Sequence, residues 1–143
     1  MTGTRIFGWP VRVYYQHTDA GGVVYHGDYL DFMEAARAEM LSELGFEVGE
    51  LARRDRVAFT VHTLQITYHK PARLGESLEV RTRCTRAQGA RLVLEQSIER
   101  AGEALASATV TLACIDAVAH RPIALPDVIK NAFEARAAGT SSP

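Results

Sequence analysis

The sequence predicts an α+β domain in which an antiparallel five-stranded sheet wraps around one long central helix, with a short C-terminal helix after it. Three observations predict this. Between positions 28 and 44, apolar residues recur at spacings of three and four, the period of a helix with one buried face. After it come four runs that read as strands, with apolar and polar residues alternating. The links Ala87–Ala90 and Ala101–Gly102 have hairpin length, so the strands they join are antiparallel neighbours. The apolar stripe of the helix needs a covering surface, and the sheet supplies it.

Residues 11–18, rich in β-branched and aromatic types, read as the first strand. Asp19-Ala-Gly-Gly22 is a turn signal. The helix over 28–44 carries its stripe on Leu30, Met33, Ala36, Met40, Leu41 and Leu44. Asp28, Asp31 and Glu34 lie in its first turns, where the helix dipole favours acids, and Gly45 stops it. In the strand over 57–70, Leu64, Ile66 and Tyr68 are out of phase with Val57, Phe59 and Val61, which predicts a bulge near His62. The strand over 77–86 turns Leu78, Val80, Thr82 and Cys84 to one face. That over 91–100 does so with Leu92, Leu94 and Ile98, and that over 104–115 with Ala104, Ala106, Ala108, Val110, Leu112 and Cys114. Pro126 opens a short helix to about Ala138. One domain over 1–138 and a flexible tail over 139–143 are expected.

Composition narrows the function. A net charge of −1 over 143 residues argues against broad nucleic-acid binding, which needs excess Lys and Arg. A local basic patch for a phosphorylated ligand remains compatible with it. Cys84 and Cys114 are far apart and form no CxxC, so no zinc or redox motif is expected, and no cofactor is implied. Two free thiols fit a reducing compartment, and a cytoplasmic location is expected. Met1–Trp9 has no long apolar stretch, so neither a secretory leader nor membrane insertion is expected.

The segment Tyr15–Tyr29 carries the chemistry. A glycine-rich loop joins a strand to a helix and holds Asp19, His17 and His26 among tyrosines. The first amides of the helix have no intrahelical acceptor and carry partial positive charge. Such N–H groups stabilise an oxyanion developing from a carbonyl. An ionised Asp beside them can attack that carbonyl or activate a water. Both parts point to acyl transfer or hydrolysis. The plainer reading stands beside this one: an Asp before Ala-Gly-Gly is ordinarily a turn residue bonded to its own backbone.

Trp9-Pro-Val-Arg-Val-Tyr-Tyr15, Thr18-Asp-Ala-Gly-Gly-Val-Val-Tyr-His26, Tyr29, Phe32 and Ala36-Arg-Ala-Glu-Met-Leu41 resemble the Tol-Pal-associated acyl-CoA thioesterases of the 4-hydroxybenzoyl-CoA thioesterase group. The resemblance continues through Arg56–Phe59, Tyr68, Lys70–Leu74 and Ala124–Pro126. It implies a hotdog fold, a homodimer or homotetramer with active sites between subunits, and an acyl-CoA substrate. It implies Asp19 as the catalytic carboxylate, as nucleophile or general base. It implies the His26 amide as the group that polarises the thioester, and Tyr15 near the site. The family usually carries acids where this chain has Gln16 and His17. Coenzyme A phosphates need cations, and Lys70, Arg73, Arg86, Arg91 and Arg121 flank the expected strand ends. Glu34, a second carboxylate on the helix, is expected to pair with Arg37 at i+3. The competing reading is a non-catalytic module that binds acyl-CoA or acyl carrier protein at the cell envelope. The His and acid arrangement of hotdog dehydratases is absent.

Overall fold

The structure is a computed structural model that describes residues 6–19 and 21–137. Strand β1 (Phe7–Arg12) is followed by helices α1 (His26–Glu43) and α2 (Val48–Arg54). Four strands come next, β2 (Val57–Tyr68), β3 (Ser77–Gln88), β4 (Arg91–Arg100) and β5 (Glu103–Asp116), and α3 (Asp127–Ala137) closes the described chain. The sheet order is β1-β3-β4-β5-β2, antiparallel throughout, so β1 and β2 are its edges. The expected α+β hotdog fold, with its long central helix and short C-terminal helix, is the one observed.

The sheet's inner face is built by even-numbered residues: Leu78, Val80 and Cys84 from β3, Leu92, Leu94 and Ile98 from β4, Val110 and Leu112 from β5. Helix α1 lays Tyr29, Phe32, Met33, Ala36, Met40 and Leu41 against it. The stripe is rotated from the expected one. Leu30 is 36% exposed, because the buried face runs 29, 32, 33, 36, 37, 40, 41 and takes in Arg37. Helix α3 packs on β3 through Ile129 and Phe133. The outer face is polar, with Arg83 Nε donating to Glu95 at 2.8 Å and Arg81 pairing with Glu79 and Glu99.

The bulge expected near His62 is present, between Val61 and Thr63. A second irregularity inserts Leu105 between the pairs Ile98–Ala106 and Glu99–Ala104. Leu105 is thereby buried, and Ala104, expected on the inner face, is exposed. The first strand differs most from expectation. It ends at Arg12, and Tyr15–His17 form a 3-10 turn. The Tyr14 amide donates to His17 Nδ1 at 2.9 Å, and the His17 amide donates to the Tyr14 carbonyl at 2.9 Å. This local closure outcompetes strand pairing. Helix α2 was not expected; Glu47 caps it, accepting the Gly49 and Glu50 amides at 3.0 and 3.3 Å. The expected tail over 139–143 lies outside the described residues.

Candidate active site

The loop after the 3-10 turn is closed on itself. Thr18 and Val24 form a β-bridge. The Asp19 amide donates to the Val23 carbonyl at 3.0 Å, and the Gly22 amide to the Asp19 carbonyl at 3.0 Å. The Gly21 amide donates to Asp19 Oδ1 at 2.8 Å. Gly22 sits at φ +78°, a conformation that side chains resist. Asp19 is therefore the turn residue that the plainer reading foresaw, but an exposed one. Oδ1 is occupied by the turn, and Oδ2 meets no donor among the described residues.

The same loop is tied to the segment between β2 and β3. The Val24 amide donates to the Ala72 carbonyl at 2.8 Å, the Leu74 amide to the Gly22 carbonyl at 3.2 Å, and Val23 bridges Arg73. The Ala72 amide donates to the hydroxyl of Tyr29, a buried residue of α1, at 2.9 Å. Loop and helix start are thus held by one set of bonds.

Helix α1 opens at His26, with Tyr25 at the cap position and no side-chain cap. The Asp28 amide turns to the Tyr25 carbonyl at 2.9 Å. The His26 and Gly27 amides meet no acceptor among the described residues, which leaves the positive end of the helix open. A Cβ at Gly27 would come within 2.7 Å of the Tyr25 ring, so glycine lets that ring pack close against the helix start. The His26 ring lies 4.4 Å from that of Tyr25 and 6.3 Å from that of Tyr68. The Tyr68 hydroxyl donates to the His26 carbonyl at 3.1 Å.

Among the expected site residues, Asp19 lies on the turn side of the Thr18–Val24 bridge, where its amide meets Val23. His26 follows Tyr25 on the helix side, where the Tyr25 amide meets the His17 carbonyl. Tyr15 flanks the loop but stands 82% exposed. His17 is bound by the turn, and its ring meets Phe32 edge-on at 4.9 Å. The five cations divide. Lys70, paired with Glu103, and Arg73, without an ion pair among the described residues, share the end of the sheet that carries the Asp19 loop. Arg86, Arg91 and Arg121 lie at the other end, about 30 Å away along the ten residues of β4. The Arg86 guanidinium is bonded to Gln88 at 2.8 and 3.0 Å. A single chain therefore cannot gather all five around a single ligand.

Glu34 is exposed and makes no ion pair with Arg37; its effect on Arg37 is through space. Arg37 turns instead into the sheet. Burial pulls its guanidinium below the ordinary value, with the Glu34 charge opposing. Both residues line a cavity of about 390 Å³ between α1, α2 and β2, walled by Leu41, Leu51, Val57 and Phe59. Among the described residues no cluster of His, Cys, Asp and Glu could hold a metal, and no helix is long and apolar enough to cross a membrane. The Tyr68 and Gly27 contributions were not read from the sequence. The available signal was a tyrosine in the inward phase of a strand end, whose polar tip needs a partner.

A long helix laid against the inner face of a five-stranded antiparallel sheet is the hotdog fold of a class of thioesterases. The family model for the thioesterase superfamily matches residues 21–107, and the chain belongs to that superfamily. It is 45% identical to the acyl-CoA thioesterase YbgC of Haemophilus influenzae over 127 residues, 89% of this chain and 93% of that protein. It is equally 45% identical to the acyl-CoA thioester hydrolase YbgC of Escherichia coli O157:H7 over 132 residues, 92% and 98% of the two chains. The crystal structure of a probable thioesterase from Bartonella henselae superposes with a TM-score of 0.81 at 36% identity, covering 85% of this chain and 99% of that one.

Proposed function

We propose that the chain hydrolyses acyl-CoA to a free acid and CoA. Asp19 serves as nucleophile or general base, and the amides at the start of α1 receive the developing oxyanion. The observation that carries this is that one tethered loop holds both an exposed carboxylate, whose Oδ2 meets no donor among the described residues, and an uncapped helix N-terminus. The 45% identity to proteins named for acyl-CoA hydrolysis supports the substrate class. A non-catalytic binder would have no use for a carboxylate there.

The working unit in this reading is a homodimer or a dimer of dimers. Edge strand β2 offers 12 residues of open backbone, with Val61 46% and Tyr68 43% exposed. Two-fold antiparallel pairing along it sets the Val57 half of one copy beside the Tyr68 half of the other. The cavity and the Arg86, Arg91 and Arg121 end of one copy then approach the Asp19 loop of its partner. A cytoplasmic location, acyl carrier protein as a second thioester donor and an association with Tol-Pal proteins belong to the same proposal; a pull-down tests the last.

The test is thiol release from a panel of short, long and aromatic acyl-CoA substrates. Asp19→Asn keeps an acceptor for the Gly21 amide, so the fold stays intact while kcat falls by about 10²–10⁴-fold, the worth of a lost general base. Full activity in that variant would overturn the role of Asp19. Sedimentation of a monomer at assay concentration would overturn the shared site.

A further inference from the structure

We propose that Tyr68 is a positioning residue for the oxyanion donors at the start of α1, an inference that rests on the thioesterase reading. The Tyr68 hydroxyl donates to the carbonyl oxygen of His26 at 3.1 Å. That carbonyl and the Gly27 N–H belong to one planar trans peptide and point in opposite directions. A hydrogen bond to the oxygen therefore acts on the N–H at the far side. It fixes the plane, and it draws electron density toward the oxygen, which strengthens the N–H as a donor. The Gly27 N–H is one of the two first-turn amides that meet no acceptor among the described residues.

The tyrosine is itself held in place. Its ring meets Tyr29 at 5.3 Å with the planes at 66°, and Tyr29 accepts the Ala72 amide. Burial, with a smaller contribution from Tyr29, raises its pKa above the ordinary phenol value. The hydroxyl consequently remains a donor throughout the neutral range. Tyr68 is also the last residue of edge strand β2, so this bond joins the helix start to the edge on which a second copy would pair.

The experiment is Tyr68→Phe in the full chain, which keeps the ring and removes one hydroxyl. Expected is a fall in kcat of about three- to tenfold, the share of one neutral hydrogen bond, with KM unchanged. Two CoA ligands separate positioning from packing. A trifluoromethyl ketone analogue presents a tetrahedral oxyanion, and its affinity should fall by the same factor. A CoA thioether has no carbonyl, and its affinity should stay at the wild-type value. Wild-type kcat in the variant, or equal loss of both ligands, would overturn the proposal. A wild-type protein that releases no thiol from any acyl-CoA would instead overturn the thioesterase reading, and the role of Tyr68 with it.

Discussion

Arg37 on α1 and Gln96 on β4 meet inside the core, the guanidinium Nη1 donating to Gln96 Oε1 across 3.0 Å. Gln96 Nε2 in turn donates to the Met33 carbonyl and to Thr82 Oγ1, each at 3.0 Å. The amide is thus satisfied on both sides and fastens the helix to two strands. Gln96→Leu would leave a buried cation without its acceptor. The expected loss is about 3 kcal/mol, near the lower end for breaking a buried charged contact. Arg37→Met combined with Gln96→Leu should recover part of it, since replacing both partners removes the orphaned charge. Urea unfolding of the three variants measures the difference.

The β4–β5 hairpin contains an avoidable strain. Ala101 at φ +50° and Gly102 at φ +84° form the two centres of a turn that needs both angles positive. Alanine is poorly suited to the first. Ala101→Asn should stabilise the protein by about 0.5–1 kcal/mol, because asparagine tolerates the left-handed region. A thermal melt would show the midpoint rising; an unchanged or lower midpoint would contradict this account of the turn.

Both thiols should be silent in the native protein. Cys84 and Cys114 are fully buried, and burial pushes the Cys84 thiol up to about 11 and raises Cys114 as well. The thiolate is the reactive form. At pH 8 a chromogenic disulfide reagent is expected to label neither cysteine until denaturant is added, and then both. Rapid labelling of one thiol without denaturant would mean that its strand opens locally.

Acid should weaken the turn after β5. Asp116 accepts the Val118 and Ala119 amides at 2.8 Å each, and Arg56 lies beside it. The Ala119 bond, then the Val118 bond, hold its carboxyl below the ordinary range, with Arg56 adding to them. The folded carboxyl is thus harder to protonate than the unfolded one. Its stabilisation is complete above the unfolded value of about 3.9 and is lost as pH falls through the lower, folded value. The melting difference between wild type and Asp116→Ala should be constant from neutral pH to about pH 5 and should close below about pH 4. A difference that grew with acidity would refute the sign.

What could be read in the sequence follows from which forces act locally. Strands β3 and β4 and helix α1 declare themselves because period and burial agree over many residues. Strand β1 did not, since Gly8 and Pro10 mask an edge strand, a position that tolerates proline. Tyr14–Thr18 misled in the opposite sense: its residues favour strands, while the His17 imidazole reaching the Tyr14 amide closes a turn instead. Arg37 and Gln96 were invisible as core because polar residues are scored as surface until their partner, 59 positions away, is known. Asp19 and the helix start were legible because they are near in sequence. The division of the five cations between two ends was not, since strand-end placement does not say which end.

The tether between residues 22–24 and 72–74 has a consequence for heat inactivation. These bonds join segments about fifty positions apart, and the Ala72 amide is secured by Tyr29 from within the core. The loop bearing Asp19 therefore has no independent melting step. Catalysis and the cooperative fold should disappear at one temperature, so residual activity after a heat pulse would report directly on the fraction of molecules still folded.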